Sequence, residues 1–307
     1  MTLRPRFAVV AIAAAVLLLA CGNSSPTSPA PSAAPSGSLA TNPSVFPLII
    51  SRELIPGPNR LLFSFLDATG TKSVGAPDRT ATVAFTGPGG ETVGSVTGTF
   101  IWAIQDLNGV YVTDVDFPVA GAWTSIFTTS APGALTETIP FSFDVLTDAH
   151  VVEPGEKAPS VDTPTLADVG GDVTKISTDT KPEKRFYETS VADALAAHKP
   201  FVLVFATPKF CQTQTCGPTL DKVKEVAAAH PDVTFINVEP YQLTDVDGQL
   251  QPVLSASNQL QTVPATDAYG LLTEPFVFVV GGDGIVKASF ELIFTPDEIA
   301  AALDGLK

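Results

Sequence analysis

The sequence predicts two domains, an all-β sandwich followed by an α/β domain, and three observations carry that prediction. From about Val45 to Val152, short alternating apolar and polar runs are separated by closely spaced turn signals, the pattern of an antiparallel sandwich. From Glu188 onward, continuous apolar runs of strand length alternate with stretches of helical periodicity. Between the two lies a Pro-rich polar stretch that serves as a boundary. The expected organisation is therefore an export signal (1–21), a tether (22–44), the sandwich (45–152), a linker (153–187) and the α/β domain (188–307).

The signal comes first. Arg4 and Arg6 precede an uninterrupted apolar segment from Phe7 to Ala20, too short for a transmembrane span, which needs roughly 20 apolar residues. Leu18-Leu19-Ala20-Cys21 follows at once and resembles the bacterial lipobox, which implies a lipid on Cys21 as the first residue of the mature chain. No later segment is apolar enough to span a bilayer, so the expected membrane contact is lipid alone. The expected location is the bacterial cell envelope, on the extracytoplasmic side of the membrane. Residues Gly22 to Ser44 are uncharged and rich in Ser, Pro, Ala and Thr, a composition that cannot bury a core and suits a flexible tether.

Composition narrows the function. The 307 residues include 17 basic and 32 acidic ones, a net charge of -15, which excludes nucleic acid as a partner because phosphate backbones need basic patches. Three histidines, His150, His198 and His230, leave little for metal or general-base chemistry, and neither a metal site nor a cofactor is expected. Beyond Cys21 there is one cysteine pair, Cys211 and Cys216, which fits an oxidising compartment. The chain's own oligomeric state is not encoded in any of these features.

Within the sandwich, Asp67-Ala-Thr-Gly70, Gly87-Pro-Gly-Gly90, Asn108-Gly109 and Pro132-Gly133 mark turns, while Tyr111 to Phe117 and Phe141 to Val145 alternate as strands. The run from Asp116 to Phe127, with Gly121-Ala-Trp123 entering a strand, resembles the late strands of bacterial immunoglobulin-like domains. Trp102 and Trp123 are expected in the core. No catalytic constellation occurs here, so the domain is either a docking element or a spacer.

In the α/β domain, Ser190 caps a short helix to His198, and Pro200 to Ala206 is a buried strand. A helix from Thr215 or Cys216 to His230 carries Leu220, Val223, Val226 and Ala227 on one face and stops at Pro231. Val233 to Val238, Pro275 to Val280 and Ile285 to Phe290 are further strands, the last two joined by the hairpin turn Gly281-Gly-Asp-Gly284. Thr295-Pro-Asp-Glu298 opens the last helix as a capping box.

The chemistry lies in Cys211-Gln-Thr-Gln-Thr-Cys216-Gly217-Pro218. A cysteine at a helix start is acidified by the helix dipole and by free backbone N–H groups, which makes its thiolate a usable nucleophile. The strand-cysteine-helix unit, Cys216-Gly217-Pro218, and the Glu274-Pro275 pair heading a strand resemble the thioredoxin-like family over about Glu188 to Lys307. The resemblance implies an α/β thioredoxin-like fold, Cys211 and Cys216 as the redox pair, and Glu274, Pro275, Gly217 and Pro218 as the backbone that meets a partner protein's thiol or disulfide.

The match has departures. The cysteines are spaced by four residues rather than two, so either Cys211 or Cys216 can occupy the attacking position. The family's buried carboxylate is missing near Val204 and Phe205; Glu239 and Glu274 are candidate substitutes, but both are expected at the surface or at strand ends. Two alternatives stand beside thiol–disulfide exchange. One is a non-catalytic binding or assembly module braced by a permanent disulfide. The other is copper handling of the Sco type, although no histidine follows His230. Asp245-Val-Asp247-Gly248 begins like a calcium loop but is expected to be a turn. The insertion from Pro240 to Leu272 is expected at the rim of the cysteine site.

Overall fold

The computed structural model describes residues 39–306, so the expected signal, Cys21 and most of the tether lie outside the described residues. The described residues belong to one compact unit. Among the described residues no helix is long and apolar enough to cross a membrane.

The N-terminal half is built from eight strands: β1 (Val45–Ile49), β2 (Gly57–Asp67), β3 (Thr80–Thr86), β4 (Thr92–Thr97), β5 (Thr99–Ile104), β6 (Asn108–Phe117), β7 (Gly121–Ser130) and β8 (Glu137–Val145). They form two four-stranded antiparallel sheets, ordered β1-β2-β6-β5 and β4-β3-β7-β8. Alternate residues of both sheets meet in one core, with Phe63, Phe65, Tyr111 and Phe117 from the first and Phe85, Trp123 and Phe127 from the second. This layering is consistent with an immunoglobulin-like sandwich. One turn is shifted. Asn108-Gly109 begins β6 rather than turning, and the reversal falls earlier, with Asp106 taking the left-handed conformation (φ 59°). The Phe100 ring lies directly over Gly109, leaving no room for a side chain there, so the glycine serves packing rather than a turn.

The C-terminal half contains α1 (Val191–Ala196), β9 (Phe201–Phe205), α2 (Cys216–Ala229), β10 (Thr234–Val238), β11 (Leu243–Val246), β12 (Gln249–Pro252), α3 (Pro264–Ala268), β13 (Phe276–Val280), β14 (Val286–Glu291) and α4 (Pro296–Asp304). Four strands form a mixed sheet, ordered β10-β9-β13-β14, and β11-β12 is a separate hairpin whose turn holds Asp247 and Gly248. Every residue of β9 is buried because the strand alternates between two cores. Val202 and Val204 face the side covered by α2 and α4, and Phe201, Leu203 and Phe205 face the other. The expected capping box is present, with Thr295 and Glu298 satisfying each other's backbone N–H groups at the start of α4.

The expected thioredoxin-like α/β fold is corrected by this architecture. The chain is mostly β-sheet, arranged in small sheets, with helix at 15%, and no clear α/β thioredoxin fold results. The reason lies in the covering layers. Helices α1 and α3 span only six and five residues. Much of the remaining cover is irregular chain, including the stretch 153–187 expected as a linker. That stretch is fastened down: Gly155 N–H donates to Val286 O (2.8 Å), Ala158 N–H to Gly284 O (2.9 Å), and Val173, Phe186 and Tyr187 enter the core beneath α2. Its Pro and polar content concealed these three apolar anchors.

The two halves share a small apolar contact, in which Leu62, Ile101, Ala103 and Val110 of the sandwich meet Leu292 and Ile293. Polar contacts surround it. Arg60 donates to Glu298 (2.7 Å) and to Ile293 O (2.9 Å), and Lys222 of α2 donates to both Trp102 O and Phe294 O at 2.8 Å. The sandwich therefore rests on α2, the helix that begins with Cys216.

Candidate functional site

Strand register brings the site together. Val238 lies opposite Phe205 in the parallel β9-β10 pair, and Phe276 lies opposite Phe205 in the antiparallel β9-β13 pair. Continuing each ladder by a residue or two sets Glu239 and Glu274 at the same sheet end as Ala206 and Thr207. The cysteine loop leaves from that end.

Cys211 and Cys216 form a disulfide with a Cα–Cα separation of 5.9 Å, inside the usual range. Their environments differ. Cys216 is the first residue of α2 and 0% exposed, whereas Cys211 is half-buried. The N–H of Cys216, one of the unpaired donors at the helix start, points at Cys211 Sγ at 3.2 Å, and Thr213 Oγ1 lies 3.3 Å from the same sulfur. A thiolate on Cys211 would thus meet both a backbone donor and the positive end of α2. The cysteine that feels the helix most directly is the one outside it.

The loop is held from below. Glu274 accepts from the Gln212 N–H at 2.8 Å and from the Tyr241 hydroxyl at 2.6 Å, while Thr213 Oγ1 donates to Glu274 O at 3.0 Å. Burial, followed by the adjacent Glu274 carboxylate, pushes the Tyr241 phenol far above its ordinary value, so it remains a donor. Tyr241 opens the insertion expected at the rim, and Leu250 within it accepts from Lys209 Nζ at 3.0 Å.

Both carboxylates lie at strand ends as expected, but not at the surface, which corrects that part of the expectation: Glu239 is 7% and Glu274 3% exposed. A strand end lies at the surface only if nothing covers it, and here the insertion and residues 177–179 do. Glu274 Oε and the two sulfurs lie within 4.8 Å of one another. The Glu274–Pro275 peptide is cis, and Pro275 is buried at the head of β13. Gly217 and Pro218 sit half-buried in the first turn of α2. Gln212, Thr213 and Tyr241 carried no signal in the sequence, since their roles depend on contacts spanning tens of residues.

Glu239 accepts from the Thr178 N–H at 2.6 Å, and desolvation raises its carboxyl from the usual 4.5 to about 7. A carboxyl raised on folding stabilises the fold below its unfolded value, and that contribution is lost as pH climbs through the folded value. Wild type should therefore lose up to about 3 kcal/mol relative to Glu239→Gln between pH 4.5 and just above 7. Glu291, also raised to about 7 by burial, shifts both proteins alike, so the difference isolates Glu239. Urea unfolding of the two proteins across that window checks this, and parallel pH profiles would refute it.

No model of a known protein family matches the chain, and no curated protein sequence matches it. Among solved structures, a DUF4426 family protein from Pseudomonas aeruginosa PAO1 is 11% identical, covering 30% of this chain and 68% of its own, with a TM-score of 0.23. A putative glycoside hydrolase from Bacteroides vulgatus ATCC 8482 is 12% identical over 69% of this chain and 35% of its own, also at 0.23. The chitinase ChiW from Paenibacillus sp. str. FPU-7 is 15% identical over 64% of this chain and 17% of its own, again at 0.23. The chain thus spans about a third of the hydrolase and a sixth of the chitinase, and likenesses this slight carry no argument about what it does.

Proposed function

We propose that this chain is a thiol–disulfide oxidoreductase acting through Cys211 and Cys216 on protein thiols or disulfides. We further propose that a lipid on Cys21 tethers it to the extracytoplasmic side of a bacterial membrane. The observation that carries the redox reading is the asymmetry of the pair: Cys211 is the more accessible sulfur and receives the first N–H of α2, while Cys216 is sealed.

In the reductive direction, Cys211 thiolate attacks a partner disulfide, forming a mixed disulfide and releasing one partner sulfur, which takes up a proton. Cys216, once deprotonated, attacks Cys211 Sγ, closes the internal disulfide and releases the second partner sulfur. Two electrons pass from the cysteine pair to the partner, and the reverse sequence oxidises a partner dithiol. Of the four positions expected to contact a partner, Gly217 and Pro218 reach solvent, whereas Glu274 and Pro275 are buried. Partner contact is therefore assigned to the first two.

Equilibration of the full chain with glutathione buffers tests the reading. A potential in the range of exchanging pairs, above about -300 mV, is the expected result. A bond that resists reduction below that value would make Cys211–Cys216 a permanent brace and the protein a non-catalytic binding module.

A further inference from the structure

Glu274 is the unexplained member of the cluster. Its side chain is buried, and no Lys, Arg or His among the described residues forms an ion pair with it.

We propose that, in the reduced protein, Cys211 Sγ, Cys216 Sγ and a Glu274 carboxylate oxygen form a three-ligand site for a divalent cation of the zinc class, and that oxidation of the pair expels the cation. This goes beyond exchange catalysis and requires only that the pair can be reduced in the folded chain.

Geometry supports the site. The three donor atoms already lie within 4.8 Å of one another. A tetrahedral zinc with Zn–S bonds of about 2.3 Å sets its sulfurs roughly 3.8 Å apart. Opening the disulfide moves the sulfurs apart toward that spacing, and the Cα–Cα separation of 5.9 Å leaves room for the adjustment.

The donor set discriminates among metals. Two thiolates with one carboxylate suit zinc, whereas Cu(I) favours soft ligands throughout and Mg²⁺ or Ca²⁺ favours oxygen alone. The carboxylate is also held as metal-binding carboxylates are, by donors outside the ligand shell: the Gln212 N–H on one oxygen and the Tyr241 hydroxyl on the other. Each oxygen keeps a lone pair to offer. The half-buried side of Cys211 leaves a fourth position to water, the arrangement of a zinc with an open coordination site.

The redox balance is simple. A dithiol reductant gives two electrons and two protons to the disulfide and becomes a disulfide itself. The cation then displaces both thiol protons. In reverse, a disulfide oxidant accepts two electrons from the two thiolates, the Cys211–Cys216 bond re-forms, and the aqueous cation leaves.

The test uses the full chain, reduced with a phosphine, freed of reductant without air and titrated with Co²⁺ and then Zn²⁺. One Co²⁺ per chain with thiolate charge-transfer and tetrahedral d–d bands is expected, with displacement by Zn²⁺ and no uptake by the oxidised chain. Glu274→Gln should weaken Zn²⁺ at least about tenfold, since losing even an outer-shell partner has that effect. Should that variant fail to fold by circular dichroism, Glu274→Asp should show the same weakening with the thiolate bands retained.

Several results would overturn the site: no uptake by a reduced chain with two countable thiols, equal affinity in the Glu274 variant, or a pair that cannot be reduced while folded. Cu(I) held equally by wild type and variant, without Zn²⁺ uptake, would do so too. Failure of exchange catalysis is a separate outcome, seen as absent turnover in a chain that still takes up the cation.

Discussion

Replacing Cys211 with Ser is expected to reduce thiol–disulfide exchange by roughly 10³-fold or more, to the uncatalysed background, because it removes the accessible sulfur that the helix activates. Cys216→Ser should behave differently. Attack by Cys211 would proceed, but the resolving sulfur would be gone, so a mixed disulfide should accumulate on Cys211. Mass spectrometry of each variant after exposure to a small disulfide locates the adduct. An adduct forming on Cys216 in Cys211→Ser, with none on Cys211 in Cys216→Ser, would reverse the assignment. Both variants also lose a short-loop cross-link, with a stability cost of about 2 kcal/mol. Exchange should therefore be assayed well below the unfolding midpoint, so that lost chemistry is not mistaken for lost fold.

The second large effect is structural. Trp123→Ala should destabilise the protein by about 3–5 kcal/mol, the range for truncating a fully buried aromatic side chain. Trp123 is 0% exposed, its ring centroid lies 5.0 Å from that of Phe117, and its indole N–H donates to Val119 O at 3.0 Å. Truncation leaves a cavity between the sheets and strips that carbonyl of its donor. Trp123→Phe should cost less, since it refills most of the volume and loses only the hydrogen bond and part of the ring. Denaturant unfolding followed by near-ultraviolet circular dichroism measures both. A loss under about 1 kcal/mol for the Ala variant would mean that the sheets close readily over the gap.

Local order was legible wherever periodicity and caps agreed. The run Phe201-Val-Leu-Val-Phe205 contains no polar residue because both faces of β9 are covered, and Thr295-Pro-Asp-Glu298 contains all the atoms of its capping box. What stayed hidden depended on long-range register. Nothing near Glu274 in the chain shows that Tyr241 and Gln212 will bury and satisfy its carboxylate. The same limit explains the misjudged fold class. Strand–helix alternation and the shortness of α1 were visible, but the brief helix α3 inside the insertion and the core insertion of Val173, Phe186 and Tyr187 were not. Those features turn the expected helical layers largely into irregular cover over small sheets. The cysteine pair was found because sulfur is rare in this sequence, and its asymmetry emerged only with the path of the loop.

The seam joining the two halves sets a limit on how this protein can be dissected. Cutting the chain after the sandwich would leave Leu292 and Ile293 bare to water and strip the Lys222 ammonium of its Trp102 acceptor, on the very helix whose first residue is one half of the disulfide. An isolated C-terminal fragment would therefore be a sticky and altered object, and its reduction potential would not stand for that of the intact protein. The sandwich acts as a splint for the helix whose first N–H meets the Cys211 sulfur.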